Sequence, residues 1–160
     1  MAVNAVTHLN FQGQARAALE FYQTVFGGEL SIATYDQFGM PKESPDADKV
    51  VFGQLIAASG FRLMAYDVPG DGRTAADAAS TESKPTTRRE NGMTFTAEPF
   101  FLSVRGETVD EISALWDALS AGASTIEEFG PSPWAPGFGM LVDRFGITWI
   151  LDVASGHAGA

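Results

Sequence analysis

One short stretch of this chain occurs twice, and that repetition limits the fold more than any other feature. Phe52-Gly53-Gln54-Leu55-Ile56-Ala57-Ala58-Ser59-Gly60 aligns without gaps on Phe138-Gly139-Met140-Leu141-Val142-Asp143-Arg144-Phe145-Gly146. Helical segments repeat as well, with Phe21-Tyr22, Val25 and Gly28 meeting Leu115-Trp116, Leu119 and Gly122. Gly13 and Gly106 stand as counterparts where each half's first strand closes. Repeats of this length are supersecondary units that bury their apolar faces together. At 160 residues, the two units fit one domain, 1–160, able to build a core without metal or disulfide support.

Periodicity supplies the elements of each unit. Val3 to Phe11 alternates with a period of two and reads as a strand with two distinct faces. Ala15 to Phe26 places Ala18, Phe21, Tyr22, Val25 and Phe26 at helical spacing and stops at Gly27-Gly28. Strands follow at Glu29 to Asp36, Val50 to Ala57 and Phe61 to Asp67, the last two joined across Ser59-Gly60. The same order recurs with a strand Phe100 to Arg105, a helix Val109 to Ala121 turning Ile112, Leu115, Trp116 and Leu119 inward, a strand Ser124 to Phe129, and a final strand pair. The first βαβββ module is thus 1–68 and the second 98–154. The connector, 69–97, is rich in small and charged residues without an apolar period, and reads as a mobile linker, or else as a lid or a dimer-contacting arm. The tail, 155–160, should fray, which removes its His157 from consideration.

Composition excludes several classes of function. A net charge of −10 opposes binding to a phosphate backbone, and the one basic pair, Arg88-Arg89, is followed at once by Glu90, so no nucleic-acid partner is expected. The start of the chain lacks the basic and apolar runs of a signal peptide, and no stretch approaches a membrane span, which makes the cytoplasm the expected location. With no cysteine, metal binding falls to His, Asp and Glu. Gly-x-Gly-x-x-Gly, P-loop and Gly-x-Ser-x-Gly motifs are missing.

Thr7-His8-Leu9-Asn10-Phe11, Ala15 to Leu19, Glu20-Phe21-Tyr22 and Val25-Phe26-Gly27-Gly28 resemble the opening of PhnB-like proteins, a branch of the vicinal-oxygen-chelate superfamily. Trp134, Phe138-Gly139-Met140 and Asp143-Arg144-Phe145-Gly146-Ile147-Thr148-Trp149 resemble that branch's closing signature. The resemblance implies the α+β glyoxalase/bleomycin-resistance fold, in which two βαβββ modules with curved sheets enclose a cup, commonly in a homodimer. PhnB-like sequences often carry a demethylubiquinone methyltransferase label, yet this chain shows no nucleotide-cofactor glycine loop.

The superfamily's metalloenzymes take ligands from the first and last strands of each module. His8 matches the first such position. Counting from Gly13 and Gly106 gives Phe101 as its counterpart; counting from Asp143 and Gly146 gives Ile150, and the repeat offset gives Met64. A hard divalent cation would choose only His8 among these four. A shifted site using His8 with Asp152 is the other arrangement, and a divalent metal is the one cofactor considered. The period of two sets His8, Asn10, Arg62, Met64, Tyr66, Phe101, Ser103, Arg105, Thr148, Ile150 and Asp152 on the cup side. Arg62, Arg105 and Asp152 lie near strand ends, where solvation would equally explain them. Trp134, in a proline-stiffened loop, either walls the cup or plugs the loop against the helix. Asp143 and Gly146 are expected to shape a turn.

Three functions follow: a protein that binds a small, partly aromatic molecule in the cup, a glyoxalase-type enzyme with a metal at His8, or a metal-free acid/base enzyme pairing His8 with Tyr66 or Asp152.

Overall fold

In the computed structural model, which describes residues 3–70 and 86–155, the chain divides into two compact units, Met1–Ala78 and Ala79–Ala160. The first unit runs β1 (Thr7–Phe11), α1 (Ala15–Phe26), β2 (Glu29–Thr34), a 3-10 turn (Asp36–Phe38), β3 (Val50–Ile56) and β4 (Arg62–Asp67). Its sheet has the order β1-β4-β3-β2, with β1 parallel to β4 and the remaining neighbours antiparallel. The second unit begins with a hairpin, β5 (Arg88–Glu90) and β6 (Met93–Phe95). It continues with β7 (Leu102–Gly106), α2 (Val109–Leu119), β8 (Ser124–Gly130), β9 (Phe138–Val142) and β10 (Thr148–Val153), in a sheet ordered β7-β10-β9-β8. The α+β class and the βαβββ order are those expected. No helix among the described residues is long and apolar enough to cross a membrane.

Each helix packs one face of its own sheet. In the first unit Ala15, Ala18, Leu19 and Tyr22 are buried against Leu9, Phe11, Leu55, Leu63 and Ala65, while Phe21, Val25 and Phe26 are only half-buried. In the second, Ile112, Trp116 and Leu119 meet Leu141, Trp149 and Leu151. Gly53 and Gly139, paired by the repeat, do the same work. A Cβ at Gly53 would lie 2.3 Å from Leu19 Cδ1, and one at Gly139 would lie 2.7 Å from Trp116 Cζ3.

The repeated turn is identical in its hydrogen bonds. Ala57 N–H donates to Phe61 O and Gly60 N–H to Ala57 O, as Asp143 N–H donates to Ile147 O and Gly146 N–H to Asp143 O. In the second unit Asp143 also accepts from the amides of Phe145 and Ile147 and from Trp149 Nε1. It shapes the turn, as its residue type suggested.

Two expectations are corrected by the fold. Strand register pairs His8 with Met64 and Ser103 with Ile150, so the counterpart of His8 is Ser103 and not Phe101, which precedes β7. The 69–97 segment, moreover, is not wholly an irregular linker. Asn91 and Gly92 both take positive φ, 52° and 77°, and close a two-residue hairpin between β5 and β6. Residues 71–85 of that segment and His157 lie outside the described residues.

Candidate functional site

Each sheet turns one face to its helix and the alternate residues to the other side. In the first unit that other face carries the row His8, Met64, Gln54 and Ser31 across four strands, flanked by Asn10 and Tyr66 on one side and Arg62 and Ile56 on the other. His8 Nδ1 lies 3.2 Å from Asn10 Oδ1. An amide oxygen only accepts, so Nδ1 of His8 is the donor in this contact. The His8 ring stands edge-on to Tyr66 with centroids 5.0 Å apart. Phe52 and Ile56 on the same face are exposed. The result is an aromatic and aliphatic surface with a small polar group at one edge.

The corresponding row of the second unit is Ser103, Ile150, Met140 and Glu127, with Arg105, Asp152 and Phe138 beside it. Arg105 grips Asp152 with two nitrogens, Nη2 to Oδ2 at 2.6 Å and Nε to both oxygens at 3.0 and 3.1 Å. Asp152 is buried here rather than solvated at a strand end, and its hydrogen bonds and charge raise the Arg105 pKa. That bidentate pair gives Asp152 a partner within its own sheet. Thr148 is buried too, donating to Glu98, whose carboxylate also receives the hydroxyl of Thr87.

The β5–β6 hairpin lies over this second face. Arg89 forms an ion pair with Glu127, its guanidinium carbon lies 4.9 Å from the Phe138 ring centroid and 5.7 Å from that of Trp134, and Thr94 contacts Met140 Sδ. Trp134 packs edge-on to Phe138, 5.2 Å between centroids, and stays about half exposed. It therefore lines the side of the sheet away from α2. Arg89, Glu127, Phe138 and Glu98 were not among the candidate site residues read from the sequence. The signal that could have found the hairpin was Asn91-Gly92, the dipeptide that favours a two-residue turn.

A divalent metal does not fit these residues. With the register corrected, the four matching positions are His8, Met64, Ser103 and Ile150, which supply one strong donor. Among the described residues no group of three or more His, Asp or Glu side chains could hold a metal ion.

Similarity to known proteins agrees with this architecture. The family described as Glyoxalase/Bleomycin resistance protein/Dioxygenase superfamily matches residues 6–151. Protein YjdN of Escherichia coli (strain K12) is 26% identical over 153 residues, covering 91% of this chain and 92% of its own. The crystal structure of protein PA1353 from Pseudomonas aeruginosa is 26% identical with a TM-score of 0.70, covering 95% and 98%. A Bacillus cereus structure named putative 3-demethylubiquinone-9 3-methyltransferase, PhnB protein, is 25% identical with a TM-score of 0.63, covering 95% and 100%.

Proposed function

We propose, for a chain that belongs to the Glyoxalase/Bleomycin resistance protein/Dioxygenase superfamily, that it binds a small, partly aromatic molecule on the sheet face around His8 and Tyr66, without a metal at His8. The observation that carries this is the edge-on His8–Tyr66 pair beside the exposed side chains of Phe52 and Ile56. Small-molecule sites are mostly apolar, with a few convergent polar groups that set orientation. His8, Asn10 and Gln54 are such groups, and Met64 and Phe52 are the apolar floor. Thermal shifts across a panel of aromatic metabolites and antibiotics, with chelator present, test it. Stabilisation that persists in chelator and disappears in His8→Ala supports the reading; stabilisation that needs added nickel, zinc or manganese would overturn it. The homodimer implied by the resemblance belongs to the same proposal, and a monomer by light scattering would remove it.

The closeness of His8 and Tyr66 favours one second reading, a metal-free acid/base reaction on the bound molecule, with Nε2 of His8 as the base. Its mark would be turnover that resists chelator and is lost in both His8→Ala and Tyr66→Phe.

A further inference from the structure

We propose that Trp134, Phe138 and Glu127 form a second binding site, for an organic cation of the guanidinium or quaternary ammonium class, and that Arg89 of the β5–β6 hairpin occupies it in this structure. Two aromatic faces and a carboxylate converging on one positive group are what such cations require, because ring quadrupoles attract a weakly hydrated cation and the carboxylate neutralises it. Arg89 meets that description, with both rings within 5.7 Å and Glu127 against its Nε. Only about a tenth of its side chain is exposed.

The plug is tied to its own hairpin as well as to the site. Nη1 of Arg89 donates to Thr94 at 2.8 Å and Nη2 donates to Gly92 O at 3.2 Å, both within the hairpin. Towards the sheet, the buried Nε is set against Glu127 in an ion pair. The hairpin can therefore lift away with Arg89 still hydrogen-bonded, giving up ionic and cation–π contacts that an incoming cation would replace. Strands of three residues are short for independent stability, so the hairpin relies on such side-chain contacts to stay down. Among the described residues the first unit holds no equivalent. There Phe52 takes the place of Phe138, but Ser31 stands where Glu127 is.

The probes are tetramethylammonium and methylguanidinium chloride, with sodium chloride as the control, titrated against Arg89→Ala and followed by tryptophan emission. Trp116 and Trp149 are buried, so Trp134 is the exposed reporter. The expected result is a saturable change in Arg89→Ala, at a concentration roughly tenfold lower than in the unmodified protein, as removal of a plug held by an ordinary cation–π contact would give. The double variant Arg89→Ala/Glu127→Gln should lose that saturation. A response no different from sodium chloride, or an unchanged midpoint in the double variant, would overturn the proposal. If Arg89→Ala does not fold, amide exchange of residues 88–95 in the unmodified protein decides. Faster exchange with tetramethylammonium than with sodium chloride supports the site, and equal exchange counts against it. His8→Ala should leave this titration unchanged, so its outcome is separate from that of the binding face in the first unit.

Discussion

Asp67 ties the first unit together at a point where its helix cannot help itself. Gln14, the residue before α1, makes no side-chain cap, and the helix start would be left with bare amides. Asp67, buried at the end of β4, accepts from the amides of Gly13 and Ala15 through Oδ1 and from Val50 through Oδ2, so one carboxylate joins the helix start to β3 and β4. Asp67→Ala strands three amides and should cost about 3–5 kcal/mol by urea unfolding. The second unit meets the same need locally, through a Thr108–Glu111 capping box, and Thr108→Ala should cost only about 1 kcal/mol by the same measurement. Asp46 offers a test by pH. A hydrogen bond from the Lys49 ammonium, and a second from the Gly70 amide, lower its pKa from the ordinary 3.8. A lowered carboxyl stabilises the fold fully above that ordinary value and loses the contribution as pH falls through the folded value. The difference in Tm between the unmodified protein and Asp46→Asn should therefore be steady near neutrality and shrink below about pH 4. His8 was legible as a candidate because histidine on a two-faced strand has few roles; Asp67 was not. A carboxylate at a strand end reads as solvated until the strand is set beside a helix start.

At the scale of elements, the repeated glycines explain both a success and an error. Gly53 and Gly139 sit where a helix side chain touches the sheet, so the gapless repeat around them aligned correctly. Gly53→Ala and Gly139→Ala should each destabilise by about 1–3 kcal/mol in chemical denaturation, because Leu19 or Trp116 must move. Gly13 and Gly106 do unrelated jobs. Gly13 takes φ 99° ahead of α1 and donates to Asp67, whereas Gly106 belongs to β7 and lacks a side chain because Ile112 lies 2.8 Å from where its Cβ would be. Counting from both put Phe101 in the place of Ser103, two residues out and of the same parity. A period of two preserves the face under such a slip, which is why the face assignments survived it. The hairpin escaped notice for a different reason. Its strands are three residues each, too short for the alternation of Met93, Thr94 and Phe95 to stand out as a strand period.

Across the whole molecule, two units of one design present different surfaces. Phe52 is exposed on the first sheet, while its repeat partner Phe138 is buried beneath Arg89 on the second. Amide exchange should register this construction. The β3–β4 and β9–β10 pairs, with cores of Leu55, Leu63, Leu141 and Leu151, should exchange slowest, and the β5–β6 amides fastest among the strands, by mass spectrometry under native conditions. The sequence by itself determined the two βαβββ units, the buried helix positions Ala18, Tyr22, Ile112, Trp116 and Leu119, and the two sides of each strand, because all of these follow from local period and from a repeat that needs no knowledge of distant neighbours. Only the tertiary structure decided that Ser103 answers to His8, that Arg105 takes up Asp152, and that a hairpin within the connector puts Arg89 against Trp134 and Phe138. Those are pairings between segments far apart in the chain, and they depend on which strand ends meet and which side chains then find an opposite charge or an aromatic face.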